Sequence, residues 1–457
     1  GKDISVVEDN FCSWVFGYDR FKGYTFIAHN GQGYDFHFIQ RWVVNRNLVP
    51  KKVIRSGQKL RHMVVCGVRF IDSLSFLAMP LSAFPKTFGL KELAKGYFPH
   101  LFNTLENQGY VGCYPAPVDY MADSMTVTGR EKFLEWYTTV STGVFDFNAE
   151  IMRYCRSDVD ILKRAVLHFQ NLFAETTGVD PLNHVSIAGA CLDVYRSRFL
   201  REQAIALIEP DVAKWIRSGF YGGRTQVFQG HVTADTAAGE VIKYMDVTSL
   251  YPWVNSNCEY PLGTGVLTEY SEPLTDPARV SALVTDSFGF LEVDIECPSD
   301  LLLPVLGDRT AGGLTFDLLP KWNHVVCSVE LQKAVSMGYV VTKVHKVLHW
   351  NERGNTLFRE YVQCFLKLKQ EASGWDGKCV SGHQVVTDAD KEQWVLEYEA
   401  ADGVKVDITN VKHNPGMRAI SKLCLNSLWG KMGQNPVRKK VVFLTDIDEL
   451  YTHLNDK

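Results

Sequence analysis

Asp246-Val247-Thr248-Ser249-Leu250-Tyr251-Pro252 is the stretch on which the reading of this chain turns. The residues leading into it, Val241 to Asp246, are rich in β-branched and aromatic side chains, which predicts a strand with Asp246 at its end. Ser-Leu-Tyr-Pro then predicts a tight turn. A carboxylate at a strand end can hold Mg²⁺ and leave positions for substrate phosphates, because Mg²⁺ prefers one or two acidic ligands plus water and phosphate oxygens. The plainer alternative is an Asp that caps its own turn amides. Five fixed positions in the pattern D-x-x-S-L-Y-P make chance recurrence rare and favour the metal ligand.

Downstream, Asn414-Pro415 is a good N-cap and first-turn pair, and predicts a helix running to Gly430. On it Arg418, Lys422 and Asn426 stack at i, i+4 and i+8, while Ile420, Leu423, Cys424 and Ser427 face roughly the opposite way. From Ile408 to Lys440 there is no acid and there are seven cations, so the stripe could grip a triphosphate without competition from carboxylates. A second acid-free run, Phe36 to Ile71, carries eight cations. Either run reads equally well as a solvated face or as a track for a phosphate backbone.

Upstream, Ala28-His29-Asn30-Gly31-Gln32-Gly33-Tyr34-Asp35 places an amide, an aromatic ring and a carboxylate at a Gly-softened turn before a helical run, Phe36 to Val44. Ile151, Cys155, Val159, Leu162, Val166, Phe169 and Phe173 follow steps of three and four, a long amphipathic helix ended by Gly178. Tyr154 and Asp158 lie one position off that stripe, at a cleft edge rather than in a core. Asp35 and Asp158 could share metal ions while Tyr154 orients an attacking water. Singly, each also reads as a turn or surface residue. Phe290 to Glu296 alternates apolar with acidic residues and predicts a strand with one wet face, Asp294 included.

The 457 residues suggest two to four domains, and mixed strand and helix signals point to α/β and α+β architecture. Forty-eight basic against 52 acidic residues give a formal charge of −4, so any contact with nucleic acid depends on local patches. No apolar run is long enough to cross a bilayer, and no membrane partner is expected. Eleven scattered cysteines without C-x-x-C spacing argue against a zinc or disulfide framework and for a reducing compartment, nuclear or cytoplasmic. Nothing near Gly1 has the basic and then apolar layout of a signal peptide, and the compartment itself stays open.

Together, and in this order, the motifs resemble family B DNA polymerases of the protein-primed branch, the group of adenoviruses, tailed phages, linear plasmids and Polinton/Maverick elements. Asn30, Tyr34 and Asp35 match the second exonuclease motif, and Tyr154 with Asp158 the third. Ser73-Leu74 resembles the motif that holds a primer 3′ end, and Lys95 the exonuclease lysine. Phe220-Tyr221-Gly222-Gly223 is similar to the Y-x-G-G linker that coordinates synthesis with proofreading. The resemblance makes Asp246 the motif A metal ligand and Ser249 and Leu250 nucleotide contacts. It makes Tyr251 the gate against ribonucleotides, whose 2′-OH would need the space of its ring. Arg418, Lys422, Asn426 and Gly430 fall on motif B, with Trp429 as the aromatic platform.

The resemblance implies an RNase H-like 3′-5′ exonuclease domain over residues 1–185, followed by a palm with fingers over 186–457. A terminal-protein-contacting insertion is expected at about 291–350. Two-metal Mg²⁺ sites, primer–template DNA, dNTPs and a terminal protein are the implied cofactors and partners. The family's D-x-E motif is expected before Asn30 and its D-T-D motif after motif B. Neither stands at those places, so the sequence is expected to be an internal piece without primer extension of its own. A degenerate relic that only binds nucleic acid is the alternative, and a non-polymerase nuclease of the same fold is disfavoured by motifs A and B.

Overall fold

The computed structural model describes residues 4–90, 96–247, 249–310, 313–434, 444 and 446–455. Lys95, Thr248 and the basic triplet Arg438-Lys439-Lys440 lie outside the described residues. The chain divides into two compact units, Gly1–Arg198 with Gln363–Lys457, and Phe199–Val362. The expected boundary at 185/186 is therefore not where the units part. The helix Ile187–Arg198 packs on the predicted motif B helix, which belongs to the first unit although it comes more than two hundred residues later. An apolar helix face shows in sequence, but its covering partner does not.

The first unit is built on a four-stranded sheet in the order β1-β4-β3-β2, with β1 Thr25–Ala28, β2 Lys52–Ser56, β3 Lys59–Val65 and β4 Val68–Asp72. Only the β1–β4 pair is parallel, and it sets Ala28 opposite Asp72. Cys66 and Gly67, both at positive φ, close the two-residue β3–β4 hairpin, the geometry that matches strand twist. Helix α2 (Asp35–Asn45) buries Phe36, Ile39, Trp42 and Val43 against this sheet, and α1 (Ile4–Phe16) adds Cys12 and Val15 to the same core. The long helix is present as Phe147–Thr177. The Asp146 carboxylate caps it by accepting from Ala149 N–H at 3.0 Å, and Gly178 at φ +75° ends it.

The second unit carries an antiparallel sheet in the spatial order 321–327, 289–296, 340–349, 266–274. Helices Pro277–Asp286 and Ser328–Ser336 cover the face of Leu291, Val293 and Ile295. The first strand of this sheet in chain order begins at Val266. The other face of the 289–296 strand is wet only in part: Glu296 is exposed as expected, but Asp294 is not. Asp294 is only 4% exposed, and Glu292 accepts from the Trp215 indole N–H at 2.6 Å. Burial pushes the Asp294 carboxyl up, but bonds from Asn323 N–H, His345 and Lys343 outweigh it and leave it below its ordinary value. The partners of Asp294 come from the two neighbouring strands, which alternation alone does not reveal.

Val241–Asp246 is not a strand. It has no regular secondary structure and is exposed, Met245 to 87%, and no described residue forms a ladder with it. β-branched side chains favour a strand only where a neighbouring strand and a face to pack on exist. Without them the segment stays solvated.

Candidate active site

A cleft of about 1020 Å³ in the first unit is lined by His29, Asn30 and Asp35 from the β1–α2 turn, by Leu74 and 78–81 after β4, and by Cys155, Asp158, Val159 and Leu162 of the long helix. Asp35, exposed, opens α2, where a carboxylate meets the positive end of the helix dipole. Asp158 joins it in the cleft. The N-terminal half of the long helix's apolar stripe, expected to be core, is instead cleft wall: Val159 is 64% exposed, while Phe169 and Phe173 are fully buried. Tyr154 is half-buried, its ring packed on Phe98 and His100 at centroid distances of 5.5 and 5.7 Å. Tyr34 is exposed and edge-on to Phe38.

The turn carrying Asn30 is held by Gly31, Ser73 and a residue that sequence reasoning passed over, Asp72. Asn30 sits at φ +65°, a left-handed conformation that Asn tolerates better than most residues. A Cβ on Gly31 would stand 2.7 Å from Ala28 Cβ, so the turn needs glycine there. Asp72, fully buried, accepts backbone N–H bonds from Asn30 at 3.0 Å, Gln32 at 2.9 Å and Leu74 at 2.8 Å. Ser73 is also buried. Its hydroxyl donates to the Ala28 carbonyl at 3.1 Å, so the 2.9 Å contact with His29 Nδ1 has the imidazole as donor. Ser73 therefore ties the turn to the end of β1.

The predicted cationic helix is Pro415–Met432, with the Asn414 side chain capping Met417 N–H at 3.0 Å. Ile420, Ser421, Cys424, Leu425 and Leu428 are buried, whereas Arg418, Lys422, Asn426, Trp429 and Gly430 are exposed. Arg418 Nε donates to Ser373 Oγ at 3.2 Å. Lys369, near the end of the helix Thr356–Glu371, joins this cluster. Burial lowers its amine pKa below the ordinary value, and the Arg418 and Lys422 charges lower it further. No stripe or motif marks Lys369 in the sequence.

In the second unit, Asp246 is exposed at the end of the solvated segment. Ser249, at φ +56°, precedes a helix Leu250–Asn257, on whose first turn Leu250 and Tyr251 are exposed. The Phe220–Gly223 loop is pinned from the 291–350 segment. Arg309 donates to the Phe220 carbonyl, and the Tyr221 ring lies flat on His324 at 5.8 Å. Burial pushes the Tyr221 hydroxyl up to about 12 and His324 down to about 4. A Cβ on Gly219 would meet the Val325 carbonyl oxygen at 2.6 Å, which excludes larger residues at the loop's entry. Gly222 and Gly223 are exposed.

Among the described residues no group of three or more His, Cys, Asp or Glu side chains could hold a metal ion. Asp35 and Asp158 are still hard oxygen donors on one cleft, which suits an ion that completes its shell with water and phosphate. Among the described residues no helix is long and apolar enough to cross a membrane.

Comparison with known proteins adds the wider frame. A probable DNA polymerase of Neurospora intermedia is 25% identical over 450 residues, 94% of this chain and 40% of that protein. The DNA polymerase of human adenovirus B serotype 7 is 23% identical over 377 residues, 75% of this chain and 30% of that one. The chain spans less than half the length of these curated relatives. Phi29 DNA polymerase complexed with primer-template DNA and incoming nucleotide substrates shares the fold, with a TM-score of 0.52 and 15% identity over 94% of this chain and 61% of that one. The shared fold agrees with the mixed α/β and α+β architecture expected from the motifs. The model of one family, DNA polymerase type B, organellar and viral, matches residues 20–378 and 405–457, which takes in the cleft, the Asp246 segment and the cationic helix alike, and to that family this chain belongs.

Proposed function

We propose that the chain is the part of a protein-primed DNA polymerase that carries a 3′-to-5′ proofreading cleft and a nucleotide-binding helix. Primer–template DNA and dNTPs are its ligands, and a terminal protein carries its primer. The observation that supports this best is the first unit's cleft, where Asp35 and Asp158 flank an apolar wall that includes Leu74, Val159 and Leu162. An unstacked terminal nucleotide has a π-face for such a wall and a phosphodiester for the carboxylate side.

Mg²⁺ bound at Asp35 and Asp158, and at Asp246 for synthesis, would supply charge neutralisation and an activated nucleophile. Asn30 would contact the strand end at the cleft, with Tyr34 at its outer rim. Lys95 completes this set by resemblance alone. Tyr154, braced by Phe98 and His100, would hold its hydroxyl in a fixed place. For synthesis, Arg418, Lys422 and Asn426 present their side chains to the triphosphate, while Ser249, Leu250 and Tyr251 meet the sugar end. Trp429 and Gly430 form the floor under the base pair, and Phe220, Gly222 and Gly223 contact the DNA backbone.

In the intact polymerase, Asp158→Ala should lower hydrolysis of single-stranded 3′ ends by about a hundredfold or more and leave dNTP incorporation nearly intact. Equal loss of both activities would defeat the assignment. Binding of DNA by wild-type protein without hydrolysis or incorporation would favour the binding-only alternative.

A further inference from the structure

We infer that Asp402 loosens the anion grip of the cationic cluster of Lys369, Arg418 and Lys422: its carboxylate stands near that cluster and opposes the binding of the phosphates of dNTP and of pyrophosphate. This rests on the triphosphate role proposed above for the helix Pro415–Met432. The match to the family leaves out residues 379–404. The structure folds them as a short hairpin, Cys379–Val380 with His383–Gln384, and the helix Asp388–Asp402. Thr387 and Asp390 close a capping box at the start of this helix, and Gly403 at φ +67° ends it. The segment carries six acids and one lysine, whereas Ile408 to Lys440 carries no acid.

Side-chain bonds tie this helix along Thr356–Glu371. The Tyr398 hydroxyl accepts from Gln370 at 3.3 Å and the Gly403 carbonyl from Gln363 at 3.1 Å, so the two helices run antiparallel. The Lys378 amine lies 3.7 Å over the Trp394 ring and donates to Gln370 Oε1 at 2.9 Å, and Trp394 stacks on Tyr398 at 5.0 Å. These contacts hold the last turn of the helix beside Lys369, the neighbour of Gln370. Asp402 lies next to the Tyr398 hydroxyl and is exposed. Burial lowers the Lys369 amine, Arg418 and Lys422 lower it further, and the Asp402 charge opposes them. The carboxylate is thus within electrostatic reach of the amine that joins Arg418 and Lys422 in one cluster. Helix stability does not account for its place, since a carboxylate in the last turn meets the negative end of the helix dipole. Cations without an acid nearby would hold the pyrophosphate product as firmly as the substrate. A fixed negative charge weakens both alike.

The test titrates the 457-residue chain with a fluorescent dNTP analogue and displaces it with inorganic pyrophosphate. Asp402→Asn removes the charge and keeps the shape, and should tighten both anions about two- to fivefold at low salt, with the gain shrinking as salt rises. Glu392→Gln removes an exposed charge about 15 Å away along the same helix and should leave both affinities unchanged. Asn suits a helix end at least as well as Asp, so Asp402→Asn should melt no lower than wild type. In the intact polymerase the same variant should lower KM for dNTP and the inhibition constant of pyrophosphate by a similar factor without raising kcat. Unchanged or weaker anion binding in Asp402→Asn, where wild type binds and Lys422→Ala binds less, would overturn the inference alone. An equal gain in Glu392→Gln would also overturn it, by tracing the effect to net charge rather than to the place of Asp402. A wild type that does not bind the analogue, or a Lys422→Ala that binds it as tightly, would overturn the triphosphate role and the inference with it.

Discussion

Two stretches of this chain, Phe36–Ile71 and Ile408–Lys440, share one sequence signature, many cations and no acids, yet the fold engages Arg41, Arg46, Arg55 and Arg69 of the first differently from Arg418 and Lys422 of the second. In the first, Arg41 pairs with Glu8 and Arg46 with Asp9, both acids of α1. Arg46 also lies 4.6 Å over the Trp42 ring, and Arg55 bonds Gln40. Arg69 donates to Thr25 Oγ1 at 2.9 Å and to the Leu182 carbonyl. In the second, Arg418 and Lys422 remain exposed on one helix face because the opposite face is buried, and Lys369 is brought against them. An acid-free run is thus no guide to free charge, since acids from elsewhere in the chain can close it. A cationic row opposite a buried apolar row is a better guide, because one helix cannot bury both faces.

The contrast is sharpest at Lys422. As a contact to triphosphate, its loss in Lys422→Ala should cost about 1.5 to 3 kcal/mol, roughly ten- to a hundredfold in kcat/KM for dNTP, with DNA affinity much less affected. Pre-steady-state dNTP titration of the intact polymerase measures this, and equal dNTP affinity and rate would break the comparison. The same variant removes one of the two charges that lower Lys369, whose amine should then titrate at higher pH. A cation whose folded pKa lies below its unfolded one makes the fold less stable as pH falls through the folded value. Stability should accordingly rise less between neutral and alkaline pH in Lys422→Ala than in wild type.

Arg69 tests the other side. Arg69→Met keeps much of the side-chain volume but leaves the Leu182 carbonyl and Thr25 hydroxyl without their donor, and should lower unfolding free energy by about 1 to 2 kcal/mol in denaturant titration. The salt dependence of DNA binding should not change. A flatter dependence would place Arg69 on a phosphate track after all.

How much was legible follows the same physics. The helix Pro415–Met432 was readable because its cap, its apolar row and its cationic row are all local, and so was the stop of the long helix at Gly178. The Asp35–Asp158 pairing was readable only through family order, since nothing local joins residues so far apart. Val241–Asp246 misled because strand propensity was visible and the missing ladder was not. Asp294 misled because alternation marks faces without saying what covers them. The unit boundary, Lys369 and Asp72 left no local signal: each acts through a partner distant in sequence. A lone Asp before Ser73-Leu74 looks like a turn residue until its three backbone partners are seen.

The smallest expected effect separates the two runs most cleanly. Arg46 and Asp9 are both about half exposed, so water and salt screen their ion pair, whereas the Glu8 carboxylate that Arg41 meets is only 7% exposed. Arg46→Ala should therefore shift stability little, and less still at high salt, and Arg41→Ala should cost more. Were these arginines phosphate contacts, each substitution would also reduce the slope of log affinity against log salt by about one, whatever its effect on stability. With Glu8 and Asp9 as their partners, the slope should stay at the wild-type value, whereas the main effect of Lys422→Ala should be reduced dNTP use. Fluorescence anisotropy at several salt concentrations, run beside thermal melts, reads both quantities on the same samples. A reduced slope in Arg41→Ala or Arg46→Ala would return the Phe36–Ile71 run to the nucleic-acid surface and erase the contrast between the two runs.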